Sequence, residues 1–119
     1  MATIRAYTTI EQSRKLAKIL PLESADMYYR EWKRMTKDIR IAHVGSAGEK
    51  DLPCWSLSSL LGVLDHPQLS KDKLGSGKEG WMVSVYPNDC RYDSCWHDNP
   101  VDACYEMIIK LNELKMLQL

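Results

Sequence analysis

The sequence predicts an α+β domain of order α-β-β-α-β-β-α, with one four-stranded antiparallel sheet packed by three helices. Three observations carry this reading. Three segments repeat apolar residues at helical spacing, two aromatic-rich segments alternate as strands do, and turn residues separate them. The 119 residues suit a single domain, 1–119, large enough to bury a core of its own. Apolar residues make up 45% of the chain, which excludes global disorder.

The first helix opens at Thr8, which with Glu11 fits a capping box. Ile10, Ser13, Leu16, Ala17 and Leu20 then share one face, with Arg14, Lys15 and Lys18 outside, and Pro21 ends the helix. Residues 22–26 form a connector. The aromatics of 27–35 favour a strand that places Tyr28, Arg30 and Trp32 on one side; a helix sharing Met27, Tyr28, Glu31 and Met35 is the rival reading. Residues 39–44, β-branched and followed by Gly45-Ser46-Ala47-Gly48, read as a strand that pairs with 27–35 across Thr36-Lys37-Asp38.

Ser56 is the natural cap of the second helix, with Leu57, Leu60, Leu61 and Leu64 on one face. Trp55 before the cap and Leu60 in the first turn fit a hydrophobic staple. Asp65-His66-Pro67 ends this helix, and the polar, Gly- and Lys-rich stretch 68–80 reads as a mobile loop. Trp81–Tyr86 alternates as a strand, Pro87-Asn88-Asp89 is turn chemistry, and 90–97 is the return strand of a hairpin. On that strand Tyr92, Ser94 and Trp96 face one way, and Arg91, Asp93, Cys95 and His97 the other.

The third helix has the clearest start. Asn99 is a preferred N-cap, Pro100 suits the first helical position, and Asp102 meets the positive end of the helix dipole. Val101, Cys104, Met107, Ile108, Leu111 and Leu114 form its apolar stripe, and Glu106 and Lys110 stand four apart in the favourable order. Tyr105, Ile109 and Met116 fall outside the stripe, so the apolar surface is wider than one sheet face covers. That surplus predicts a protein partner or a homodimer.

Sixteen basic and sixteen acidic residues cancel, so the whole molecule lacks the charge that draws nucleic acid or anionic membrane non-specifically. Residues 1–50 nevertheless carry ten basic against six acidic residues, and 51–119 carry six against ten. The positive half gathers at Arg30, Lys33, Arg34, Lys37 and Arg40, interleaved with Tyr28, Tyr29 and Trp32. Cations beside stacking surfaces are the ingredients of single-stranded nucleic-acid binding, an alternative function for segment 28–40. Glu31 and Asp38 dilute the patch, and a solvated hairpin face is the commoner meaning of such a run.

The start, Met1-Ala2-Thr3-Ile4-Arg5, enters polar sequence without an apolar segment, and no run is long enough to span a bilayer. The expectation is a cytoplasmic protein, off the membrane, with Cys54, Cys90, Cys95 and Cys104 as reduced thiols. A Cys/His-dependent enzyme is a second alternative, with His97 or His43 serving Cys95. Cys90-x₄-Cys95 and Cys95-x-His97 are not zinc-ligand spacings, and Cys54 and Cys104 read as small core residues, so neither metal nor cofactor is expected. The carboxylates Asp93, Asp98, Glu23 and Asp26 form no pair of defined separation. Gly75–Gly80 is not a phosphate loop: Asp72 stands where the first glycine belongs, and Glu79 where Ser or Thr must follow Lys78.

Two blocks carry a resemblance. One runs from Thr8-Thr9-Ile10-Glu11-Gln12-Ser13 through Leu22-Glu23-Ser24-Ala25-Asp26-Met27-Tyr28-Tyr29. The other joins Leu52-Pro53-Cys54-Trp55-Ser56-Leu57-Ser58-Ser59-Leu60-Leu61 to Asp98-Asn99-Pro100-Val101-Asp102-Ala103 and the Met107–Leu111 run. Together they resemble small phage- or prophage-type proteins of gut Bacteroidetes, over most of the chain except the loops near 45–51 and 66–80. The resemblance implies a bacterial cytoplasmic protein encoded by a mobile element. The group has no assigned activity, so it lends this chain no functional residue. The function expected is that of a non-enzymatic accessory or binding protein acting through protein contacts.

Overall fold

The computed structural model describes residues 5–30, 41–75 and 77–117. Helix α1 (Ile10–Leu16) leads through a 3-10 turn (Leu22–Ser24) to strands β1 (Met27–Tyr29), β2 (Ala42–Val44) and β3 (Leu52–Cys54). Helix α2 (Leu57–Val63), β4 (Gln68–Lys73), β5 (Glu79–Val85), a turn at Pro87–Asp89, β6 (Tyr92–Asp93) and α3 (Pro100–Glu113) follow. Helices and antiparallel strands mix as the sequence predicts. The single four-stranded sheet does not form. The strands make two three-stranded antiparallel sheets, ordered β2-β1-β3 and β4-β5-β6.

Two strands absent from the sequence reading cause this difference. β3 contains Pro53, which argues against a strand, but β3 lies on the edge of its sheet, where a missing N–H is tolerated. The stretch expected as a loop at 68–80 contains β4, paired from Gln68↔Ser84 to Lys73↔Glu79. Its Lys71, Asp72 and Lys73 are exposed, and a charged edge strand resembles a loop in sequence. Gly77, at φ 85°, turns the connection, its N–H donating to the Leu74 carbonyl at 2.8 Å.

β1 and β2 pair antiparallel, Met27 opposite Val44, as expected of the segments that hold them. The turn at 36–38 and the rival helix reading of 27–35 fall largely on 31–40, outside the described residues. The predicted return strand 90–97 shrinks to Tyr92–Asp93 and a single bridge between Trp81 and His97. The turn before it behaves as its residues suggest: Asn88 and Asp89 take positive φ, which short polar side chains tolerate.

The α1 cap lies one residue later than predicted. Thr9, not Thr8, accepts the Gln12 N–H at 3.1 Å, and Gln12, not Glu11, returns the bond to the Thr9 N–H at 3.0 Å. Thr8 is fully buried and spends its hydroxyl elsewhere. The helix ends at Leu16, before Pro21, although Leu20 is still buried. Ser56 caps α2 by accepting from the Ser59 N–H, and Trp55 and Leu60 share the core as a staple requires. Asn99 caps α3, its side chain accepting from the Val101 N–H at 2.8 Å with Pro100 behind it.

The main core lies between the β4-β5-β6 sheet and helices α2 and α3. Val83 and Val85 of β5 meet Leu60, Val101, Cys104, Met107, Ile108 and Leu111, with Leu16 and Trp55 in the same cluster. Leu114, predicted to end the stripe, is 46% exposed where the helix stops. A smaller core of Tyr29, Leu52 and Cys54 lies under the other sheet. Thr8 joins the two: its hydroxyl accepts the Trp55 N–H at 3.1 Å, and its carbonyl takes the Tyr29 hydroxyl at 2.7 Å. Among the described residues no helix is long and apolar enough to cross a membrane.

Candidate functional site

Helix α3 has a second face. Asp102, Tyr105, Glu106, Ile109 and Glu113 recur at helical intervals opposite the buried stripe. With Gln12 and Lys15 of α1 and His97 beyond β6, they line an open groove of about 680 Å³. Tyr105 and Ile109 are half-buried and pack on the core from outside.

A polar knot lies at the Asp102 end of this lining. Asp102 accepts from Gln12 Nε2 at 2.8 Å and from the Arg5 guanidinium, which also donates to the Tyr7 carbonyl. Gln12 therefore serves twice, completing the α1 cap and tying α1 to the first turn of α3. A side wall is built by Glu106. One carboxylate oxygen meets His97 Nε2 at 2.9 Å, and the other accepts the Cys95 N–H at 2.9 Å. Burial by itself raises the Glu106 pKa; the hydrogen bonds from Cys95 and His97 outweigh it and hold the carboxyl below its usual range.

The sequence pairs Glu106 with Lys110 along the helix. In the fold Glu106 turns to His97, and Lys110 donates to the Asp93 carbonyl at 3.3 Å. Asp93 itself holds the Ser84 hydroxyl at 2.6 Å and Arg91 at 2.8 Å, and both keep its pKa low. The groove was hidden from the sequence because its lining comes from three separate stretches. The available signal was the polar side of α3, with Tyr105 and Ile109 set among its charges.

The four cysteines divide by burial. Cys54 and Cys104 are buried, and burial pushes both thiols up, Cys104 to about 12. Cys90 and Cys95 are exposed. Among the described residues no hydrogen bond joins an imidazole to a thiol; the ring nitrogen of His97 that is bonded meets a carboxylate. His43, read from the sequence as a partner for Cys95, is exposed on β2 and stacks on Tyr28, the ring centroids 5.5 Å apart. Asp26 accepts from the N–H and hydroxyl of Ser56. Among the described residues no group of three or more His, Cys, Asp or Glu is placed to hold a metal ion.

The basic and aromatic segment is only partly in view. Tyr29 is 4% exposed and its hydroxyl is bonded, so its ring is not a surface on which a base can stack. Tyr28 is half-buried, with His43 against one face. Arg30 is exposed. Trp32, Lys33, Arg34, Lys37 and Arg40 lie outside the described residues.

A second cavity, about 50 Å³, lies where α2, β5 and α3 end, among Leu64, Val85, Leu111 and Met116. It has room for a few water molecules and not for a larger ligand. No family model matches the chain, and no curated protein and no solved structure matches it either.

Proposed function

We propose that this chain is a small accessory protein that works by binding another protein, in the cytoplasm of a bacterium and encoded by a mobile element. The origin and compartment rest on the resemblance to phage- and prophage-type proteins. The groove between α1 and α3 supports the binding role. It combines a half-buried apolar floor, Tyr105 and Ile109, with walls of both charge signs, the usual make-up of a contact surface with a polar rim.

An enzymatic role gains less support from the same geometry. Glu106 occupies His97, two thiols are buried, and the remaining two are not bonded to an imidazole among the described residues. Nucleic-acid binding through 28–40 loses Tyr29 as a stacking ring.

The test is affinity capture from host cytoplasm, with and without nuclease, using the parent chain, Lys15→Glu and Ile109→Asp. Thermal melts establish that each variant is folded. The expected result is a partner protein that survives nuclease and is lost with either variant. Capture abolished by nuclease, or unaffected by both substitutions, overturns the reading.

A further inference from the structure

We draw no further inference here: the strongest candidate, the open groove between α1 and α3 whose Tyr105–Ile109 floor lies among charges of both signs, belongs to the site already described, and nothing in the structure shows what covers it.

Discussion

Glu106 grips His97 at 2.9 Å through one oxygen and the Cys95 N–H at 2.9 Å through the other, so a single carboxylate fastens the stretch after β6 to helix α3. Its pKa is held below the usual 4.5. A carboxyl whose folded pKa is depressed adds stability above its unfolded pKa and loses it as pH falls through the folded value. Glu106→Gln is therefore expected to cost about 1 kcal/mol at neutral pH, as a partly exposed charged hydrogen bond does. The difference from the parent closes in acid. Urea unfolding across a pH series measures both. A gap that persists unchanged in acid would show that the charge is not what matters.

Thr8 and Thr9 are adjacent but do different work. Thr9→Ala removes a helix cap and is expected to cost about 1 kcal/mol. Thr8→Val keeps the shape of a fully buried side chain and strands the Trp55 N–H, an expected loss of about 1–3 kcal/mol. Chemical denaturation of the two variants should rank Thr8→Val as the more damaging.

Helix α3 ends with a lysine in a place suited to glycine. Lys115 has φ 58°, its N–H donates to the Asn112 carbonyl, and the Met116 N–H donates to the Leu111 carbonyl at 2.8 Å. This is the Schellman arrangement, with Lys115 as its left-handed residue. Lys115→Gly should stabilise the protein by about 0.5–1 kcal/mol and raise Tm by a few degrees. Lys115→Val should lower Tm, because a β-branched side chain suits that conformation worse than lysine does.

Thiol reactivity should divide the cysteines into pairs. Cys90 and Cys95 are exposed; Cys54 and Cys104 are buried, with thiols pushed up by that burial. A chromogenic disulfide reagent at neutral pH should release a fast phase of two thiols, with the other pair appearing on denaturation. Fast labelling of Cys104 in the native state would contradict the packing of α3 against β5.

The sequence reveals what is set locally. Asn99-Pro100 announces α3, Ser56 announces α2, and Trp81–Val85 alternates because one side of β5 faces a core. Sheet membership depends on partners far along the chain, so β3 and β4 were invisible: one carries a proline and the other charges, and each is acceptable only at an edge. The site follows the same division. Its apolar floor on α3 is legible as residues outside the main stripe. Its walls are not, because Gln12, His97 and Glu106 come together only after α1 and the segment beyond β6 have docked.

Thr8 has one further consequence. Because it is bonded to both Trp55 and Tyr29, parting it from either leaves a buried polar group unpaired. In deuterium exchange the main-chain protons of Thr8 and Trp55 should therefore be replaced at a common rate, with Thr8 and the start of α2 opening as one cooperative unit.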